Sequence, residues 1–134
     1  MFNYKNKSYK VIIWDWLYTV FNPDTGNLYQ WVPDFFDTLD PSVVNYLVSF
    51  AKHPKLREQK IKDSIIFNRL KKLVIDIDDK KVAFQTLAAD ENLNASDVLV
   101  IGDNVSHEGQ AALTMNYDFV HVWDFAKELG FIHE

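Results

Sequence analysis

Several residue types and patterns are missing from this sequence of 134 residues, and each absence narrows its possible functions. There is no cysteine, which excludes disulfides, thiolate catalysis and cysteine-ligated zinc and agrees with a reducing compartment. Lys and Arg number 14 against 19 Asp and Glu and form no basic stripe, so we expect no nucleic-acid partner. No apolar run reaches the roughly 18 residues of a transmembrane helix. With a polar stretch at residues 1–10, this predicts a cytoplasmic protein without membrane contact.

The composition is that of a folded domain. Apolar residues make up 48% of the chain and aromatic residues 15%, which argues against disorder and predicts a substantial core. The length is typical of one domain, and no repeat, low-complexity tract or linker interrupts the sequence. We therefore expect a single domain over residues 1–134.

One stretch, residues 11–20, organises the rest of the chain. Its apolar start, Val11-Ile12-Ile13-Trp14, is typical of a strand buried on both faces, and it leads directly into Asp15. Ligands of open α/β sheets bind at the carboxyl ends of the strands. Asp15 is therefore a candidate nucleophile or metal ligand, although a lone aspartate there is also typical of a helix cap or a turn.

Strand and helix patterns alternate along the remaining chain. Besides residues 11–14, strands are predicted at 43–48, 73–77, 98–101 and 119–122. Helices are predicted at 31–39, 54–63, 80–93, 106–115 and 124–129, with a hairpin at 21–29 and a weaker helix or turn at 65–70. This alternation predicts a three-layer α/β/α sandwich around a parallel, Rossmann-like sheet of about five strands.

Four polar side chains recur at or just beyond predicted strand ends, which places them on one rim of the sheet. They are Asp15, Ser49, Lys80 and Asp103. Their common position indicates a shared site more strongly than any one of them does alone.

The order and spacing of these residues resemble the haloacid dehalogenase superfamily of aspartate-nucleophile phosphohydrolases. Its first motif, an apolar strand followed by Asp-x-Asp-x-Thr, is matched by Asp15-Trp16-Leu17-Tyr18-Thr19. Ser49 after Tyr46-Leu47-Val48 matches the second motif, and Lys80 with the spacing up to Leu87 matches the third. Gly102-Asp103 with Glu108 matches the fourth, so the resemblance extends from about Val11 to Val122.

The resemblance implies a metal-dependent attack on phosphorus. Asp15 is the implied nucleophile and would form an aspartyl-phosphate that water later hydrolyses. The implied ligands of Mg²⁺ are Asp15, the backbone carbonyl of Leu17 and Asp103, with Glu108 in the outer position.

The implied substrate is phosphorylated, and three further residues would bind it. Ser49 would donate a hydrogen bond to a phosphoryl oxygen, Asn104 would contact the substrate, and Lys80 would neutralise charge on the nucleophile and the transferring group. Lys81 is the alternative to Lys80, because a shift of one residue in the loop would give Lys81 this charge-neutralising role.

Position 17 departs from the family pattern. The second aspartate of the first motif, the family's usual general acid/base, is replaced by Leu17, which cannot transfer a proton. General acid–base catalysis contributes typically 10²–10⁴-fold, so turnover is expected to be impaired unless His107 or Tyr18 substitutes.

Three functions follow from these observations. The first is a Mg²⁺-dependent phosphatase, and the second is a catalytically inactive binding or interaction module. A receiver-like signalling domain is the third, but it fits the motif order poorly.

Neither gap between the motifs is long enough for an inserted cap domain, as a dehalogenase would usually have. An open, capless site suits a large substrate or closure by a second subunit in a homo-oligomer. Aromatic residues around the hairpin are interpreted as core and flap packing, or as a partner surface where exposed: Trp14, Trp16, Tyr18, Phe21, Tyr29 and Trp31.

The remaining polar residues receive structural interpretations. The basic residues of the second predicted helix are assigned to its solvated face: Lys55, Arg57, Lys60 and Lys62. Asp78 or Asp79 is expected to cap the helix that begins at Lys80. His107-Glu108 lacks the second histidine of a zinc motif. The other histidines, His53, His121 and His133, are expected at the surface or in satisfied structural positions.

Overall fold

A computed structural model describes residues 1–76 and 78–134 of the chain. A parallel five-stranded sheet forms its centre, with strand order β7-β6-β3-β8-β9. Its strands are β3 (Val11–Trp14), β6 (Val44–Phe50), β7 (Leu70–Asp76), β8 (Val98–Gly102) and β9 (Asp118–His121). The helices are α1 (Trp31–Thr38), α2 (Pro54–Lys62), α3 (Lys80–Glu91), α4 (Gln110–Thr114) and α5 (Val122–Glu128). The predicted α/β fold with a Rossmann-like parallel sheet is confirmed.

The two faces of the sheet are buried by different side chains. Along β3, Ile12 and Trp14 join an aromatic-rich core that includes Phe35 of α1 and Phe125 of α5. Val11 and Ile13 instead join a core of mainly aliphatic and small residues that includes residues of α3 and α4. Because successive side chains of a strand point to opposite faces, a continuous apolar run is what a doubly covered strand requires.

Several element boundaries differ from the predictions. Strand β6 continues to Phe50, so Ser49 lies inside the strand rather than after it. The predicted third strand starts earlier, at Leu70, and its last predicted residue, Ile77, lies outside the described residues. The predicted helix at 106–115 is a π-helical turn, Val105–Gly109, followed by the short helix α4.

Two hairpins flank the sheet. The predicted hairpin at 21–29 is confirmed as β4 (Phe21–Asn22) and β5 (Asn27–Leu28), with Gly26 at φ +76° in the turn. A second hairpin, β1 (Phe2–Tyr4) and β2 (Lys7–Tyr9), was not predicted. Its two-residue turn holds Lys5 and Asn6 at positive φ, a geometry that matches the twist of the paired strands but that Lys does not signal in a sequence.

Between β3 and β6 the chain forms the β4–β5 hairpin and α1, and between β6 and α3 it forms α2, a short 3₁₀ turn (Phe67–Arg69) and β7. The single domain without a cap remains a prediction. No helix in the described part of the chain is long and apolar enough to cross a membrane. The aromatic residues expected in core and flap packing are buried except Tyr18, which is 42% exposed.

Candidate functional site

Asp15 lies at the carboxyl end of β3, in the centre of the sheet. Its N–H donates to the carbonyl of Ile101 (3.0 Å), which continues the pairing between β3 and β8 by one residue. The side chain is only 7% exposed. Lys80 Nζ donates to its Oδ1 (2.5 Å), and Thr19 Oγ1 donates to its Oδ2 (3.2 Å). Both carboxylate oxygens are therefore held in a defined orientation at the strand end.

Lys80, the first residue of α3, supplies the buried positive charge of the site. It is 1% exposed, and its Nζ also donates to Glu108 Oε1 (2.9 Å). Burial lowers the pKa of Lys80, but the charges and hydrogen bonds of Asp15 and Glu108 outweigh burial and raise that pKa above its ordinary value. Lys81 is exposed, and its N–H donates to Asp79 Oδ1 (2.8 Å), the predicted helix cap. Of the two candidate lysines, Lys80 is the one in contact with Asp15.

Glu108 reaches the site because the chain turns back immediately after β8. The π-helical turn carries Glu108 toward the strand end, where its Oε2 accepts the N–H of Asn104 (2.9 Å). Gly102 leaves the space that this requires, since a Cβ built on it would lie 2.6 Å from Glu108 Oε2 and 2.9 Å from Glu108 Cγ. The Gly-Asp pair of the fourth motif thus has a steric reason for its glycine.

Asp103 completes an acidic cluster with Asp15 and Glu108. One oxygen from each residue lies within 4.8 Å of the others. Burial, the hydrogen bond and charge of Asp15, and the charge of Glu108 raise the pKa of Asp103 to about 7. With all three carboxylates ionised and Lys80 protonated, the cluster carries a net charge of −2. Closely spaced, hard oxygen donors with this net charge fit a divalent cation such as Mg²⁺.

His121, at the end of β9, fixes the backbone of Asp103, a contact that sequence reasoning did not predict. Its Nδ1 accepts the N–H of Trp123 (3.1 Å), so the ring proton belongs on Nε2, which donates to the Asp103 carbonyl (2.9 Å). No signal in the sequence pairs His121 with Asp103. The contact arises because β8 and β9 are neighbours in the sheet.

The loop after Asp15 is wound tightly. The Trp16 carbonyl accepts the N–H groups of Thr19 (3.2 Å), Val20 (3.1 Å) and Phe21 (3.0 Å), and Tyr18 adopts φ +59°. No hydrogen bond among residues 1–76 and 78–134 uses the Leu17 carbonyl, which leaves this predicted ligand oxygen available.

A buried histidine supports that loop from the far end of the chain. His133 Nδ1 accepts the indole N–H of Trp31 (3.1 Å), so Nε2 carries the proton and donates to the Tyr18 carbonyl (2.8 Å). Its ring stacks on Tyr29 with centroids 3.7 Å apart. The expectation of a satisfied structural histidine agrees with this position.

Ser49 is buried on β6 and is contacted by a residue that was predicted to face solvent. Arg57 Nη1 donates to Ser49 Oγ (2.6 Å) and to the Phe50 carbonyl (3.1 Å). Assigning Arg57 to the solvated face of its helix was therefore wrong. The available signal was the short connection: α2 begins five residues after Ser49, so its first turns must lie at the same edge of the sheet.

The remaining predicted residues lie near the site without a contact to Asp15. Asn104 is exposed, and its side chain makes no hydrogen bond within the described part of the chain. The Tyr18 hydroxyl donates to Asp24 (3.2 Å), whose charge raises the pKa of Tyr18. His107 Nδ1 lies 3.5 Å from Glu108 Oε1, and its ring packs edge-on against Phe50.

Comparisons with known proteins give matches in structure but not in sequence. No protein-family model and no curated protein sequence matches the chain. A hydrolase from Streptococcus pneumoniae aligns with a TM-score of 0.74 over 92% of this chain and 100% of its own, at 12% identity. A proposed phosphoglycolate phosphatase from Lactobacillus plantarum aligns with a TM-score of 0.72 over 86% of each chain, at 15% identity.

A third solved structure contains a metal. The N-terminal part of a Bacteroides fragilis protein, containing a phosphatase domain and complexed with Mg, aligns with a TM-score of 0.70 at 13% identity. The match covers 94% of this chain and 40% of that one. The sheet order and these structural neighbours agree with the motif resemblance. The chain has the fold of the haloacid dehalogenase superfamily.

Proposed function

We propose that this protein is a Mg²⁺-dependent phosphohydrolase that transfers the phosphoryl group of its substrate to Asp15 and then to water. The observation that carries the proposal is the environment of Asp15. Its buried carboxylate contacts Lys80 and Thr19, and it lies within a cluster of three acidic side chains. The Mg complex of a structural neighbour with the same fold supports the choice of metal.

The metal would be held by oxygen atoms alone. Asp15, Asp103 and Glu108 would supply carboxylate oxygens, and Leu17 would supply its carbonyl. Bound there, Mg²⁺ would offset the negative charge of the cluster, which otherwise repels an approaching phosphate.

Three side chains of this protein would act on the phosphoryl group. A carboxylate oxygen of Asp15 forms the new bond to phosphorus while the bond to the leaving oxygen breaks, and that oxygen keeps the electron pair. Lys80 offsets the charge that gathers on the phosphoryl oxygens. Ser49 accepts its hydrogen bond from Arg57, so its own hydroxyl proton stays free to be donated to a phosphoryl oxygen.

Water would complete the cycle by attacking the phosphorus of the aspartyl-phosphate. The bond between Asp15 and phosphorus then breaks, and inorganic phosphate and the free carboxylate are released. This second step regenerates Asp15 for the next substrate.

Leu17 limits which substrates can react. No carboxylic acid stands two residues after Asp15 to protonate the leaving oxygen. Leaving groups that depart as stable anions, such as phenolates or carboxylates, need no such proton, whereas alkoxides do. We therefore expect hydrolysis of aryl or acyl phosphates and little hydrolysis of alkyl phosphates.

A second candidate function is a module that binds Mg²⁺ and phosphorylated ligands without turnover. Leu17 is the observation that favours it, because a site with no general acid and no general base retains its binding groups while losing rate.

Hydrolysis of 4-nitrophenyl phosphate, with Mg²⁺ and with EDTA, tests the proposed function. We expect activity that requires Mg²⁺ and falls at least about 10³-fold in Asp15→Asn, because the nucleophile is lost. The matched control is Asp37→Asn, which changes an exposed carboxylate on α1 and should leave the rate unchanged. Leu17→Asp should accelerate alkyl phosphates by roughly 10²–10⁴-fold, since it restores a general acid.

The outcomes separate the two functions. Activity that survives Asp15→Asn would rule out this nucleophile. A wild type without activity that nevertheless binds Mg²⁺ and phosphate, and that gains activity in Leu17→Asp, would establish the binding module instead.

A further inference from the structure

A second concave surface opens next to Asp15 and Ser49. It is a pocket of about 620 Å³, and its lining includes Leu17, two residues after Asp15, and Phe50, next to Ser49. The rest of its wall comes from the chain segment that enters α2. A group attached to a phosphate on Asp15 would extend toward this pocket, because Arg57 lines the pocket and also donates to Oγ of the phosphate-binding Ser49 (2.6 Å).

The pocket is positively charged, although the protein as a whole carries a net charge of −5. Lys52, Arg57 and Lys60 line it, and no carboxylate does. None of these three cations lies within 4.0 Å of a carboxylate oxygen in residues 1–76 and 78–134. Within the described residues, therefore, no ion pair competes with a ligand for these three charges.

Two of the three cations are held in place. Arg57 is anchored through Nη1 alone to Ser49 and the Phe50 carbonyl, which leaves Nη2 and Nε free of hydrogen bonds to the described residues. The ammonium of Lys60 lies 5.4 Å from the ring centroid of Phe21 on the β4–β5 hairpin, within the range of a cation–π interaction. A partly fixed cation loses less conformational entropy on binding than a free one.

The same pocket exposes apolar surface. Leu56 is 73% exposed and Phe50 is 38% exposed, and both border it together with Leu17. Ligand sites combine such apolar walls with a few polar groups that fix orientation. This combination suits a ligand with an apolar body and a negative charge at its far end.

We propose that this pocket binds the leaving group of the substrate, and that this leaving group carries a second anionic group joined to the phosphate through a short apolar or aromatic body. Arg57 lies between the two anions, next to the phosphoryl site, and Lys52 and Lys60 contact the second one. The inference rests on the proposed function for the position of the phosphate. It adds the substrate class: aryl or similar phosphates with a carboxylate or a further phosphate.

Phosphonates test this inference without any turnover, because their carbon–phosphorus bond is not hydrolysed at the site. Benzylphosphonate and 4-carboxybenzylphosphonate differ only in the second anion, and titration calorimetry of the wild type with Mg²⁺ at about 0.15 M salt measures both affinities. We expect the carboxylated ligand to bind at least tenfold more tightly. An analogue with a trimethylammonium group in place of the carboxylate should bind more weakly than benzylphosphonate.

Charge variants show which residues cause the tighter binding of the carboxylated phosphonate. The double variant Lys52→Gln/Lys60→Gln should remove most of the tenfold preference and leave the affinity for benzylphosphonate within about twofold, because both lysines lie away from the phosphate. The matched control is Lys55→Gln on the same helix, an exposed lysine outside the pocket, which should keep the preference. All three lysines are exposed, and urea unfolding verifies that the variants fold.

Three results would overturn the inference: equal affinities for the two phosphonates, a preference that survives the double variant, or no measurable binding of either ligand. The result is independent of the proposed hydrolase activity. A wild type that prefers the carboxylated phosphonate but hydrolyses no phosphate ester keeps the pocket assignment and loses the hydrolase. A wild type that hydrolyses phosphate esters but binds the two phosphonates equally keeps the hydrolase and loses the pocket assignment.

Discussion

Two charged regions lie beside Asp15, and they differ in how far solvent reaches their charges. In the cluster of Asp15, Lys80, Asp103 and Glu108, every side chain except the half-buried Asp103 is shielded from solvent, and Lys80 must pair with carboxylates to stay ionised there. The pocket cations Lys52 and Lys60 are exposed and need no partner, because water solvates them. A charge in the cluster therefore supports the folded state, whereas a charge in the pocket can serve a ligand alone.

The two regions also come from different parts of the chain. The cluster gathers residues from the ends of strands β3 and β8, from the π-helical turn after β8 and from the start of α3. The pocket is built mostly from one continuous segment, residues 50–60, with Leu17 added from the first motif. Substitutions should accordingly lower stability as well as activity in the first region, and binding alone in the second.

The largest effect is expected from removing the buried cation. Lys80→Met keeps a side chain of similar length but leaves three carboxylates together without a positive charge. Breaking a buried ion pair costs about 3–5 kcal/mol, and we expect the free energy of unfolding to fall by about that amount in EDTA. Urea unfolding measures it, and added Mg²⁺ should restore part of the loss.

The matched variant for this comparison is Lys60→Met, which removes an exposed cation from the pocket. Its stability should stay within about 1 kcal/mol of the wild type, since only a solvent-exposed cation–π contact is lost. Equal losses in the two variants would show that the cluster and the pocket do not differ as described.

A smaller effect is expected from filling the space beside Glu108. Gly102→Ala places a methyl group where Glu108 Oε2 and Cγ lie, and neither Glu108 nor the buried strand end can move freely. Overpacking of this kind costs about 1–3 kcal/mol. We expect that loss in urea unfolding, together with weaker Mg²⁺ binding in calorimetry, because Glu108 is displaced.

The comparison variant is Gly109→Ala, at the end of the π-helical turn that carries Glu108. Its new methyl group would meet neighbours at 3.5 Å or more, and Gly109 has φ −62°. An alanine fits this helical backbone, so stability should be unchanged or higher by up to about 1 kcal/mol. A Gly102→Ala variant as stable as Gly109→Ala, with unaltered Mg²⁺ affinity, would remove the steric argument.

The smallest effect is expected in the pH dependence of stability through His133. Burial lowers the pKa of His133 below its ordinary value of about 6.5, so the unfolded chain binds a proton more readily than the folded one. The stability that neutral His133 contributes is complete above pH 6.5 and is lost as the pH falls from there through the lowered pKa. The stability advantage of the wild type over His133→Gln should therefore shrink between pH 7 and pH 5, as followed by urea unfolding.

His53 serves as the control for that measurement, because it lines the pocket and its exposed ring makes no hydrogen bond within the described residues. The variant His53→Gln is measured beside His133→Gln, so that the loss of an exposed imidazole is compared with the loss of the buried one. A constant difference between wild type and His133→Gln across this range would mean that His133 does not link folding to pH.

Much of the fold and of the cluster could be predicted from sequence because the relevant signals are local. An apolar run such as Val11–Trp14 indicates a buried strand wherever it occurs, and parallel strands bring their carboxyl ends to one edge. Asp15 and Asp103 follow such runs directly, and the structure places their oxygens together. Lys80 follows from the predicted helix start, although only the structure distinguishes it from Lys81.

Other features depend on contacts that no local pattern encodes. Arg57 belongs to a highly charged helix, and sequence periodicity did not indicate that this one cation turns inward to Ser49. His133 meets the Tyr18 carbonyl across 115 residues of chain. The π-helical turn that carries Glu108 back to Gly102 looks like ordinary helix in the sequence.

The sequence by itself determined the alternation of strands and helices, the strand ends that carry Asp15 and Asp103, and the loss of the acid at Leu17. These properties follow from backbone periodicity and side-chain chemistry, which depend only on the identity and spacing of neighbouring residues. The tertiary structure decided which lysine is buried, how Glu108 enters the acidic cluster, and that Arg57 and two lysines line a pocket beside Asp15. The reason is that burial and charge pairing depend on distances between residues far apart in the chain, and packing alone sets those distances.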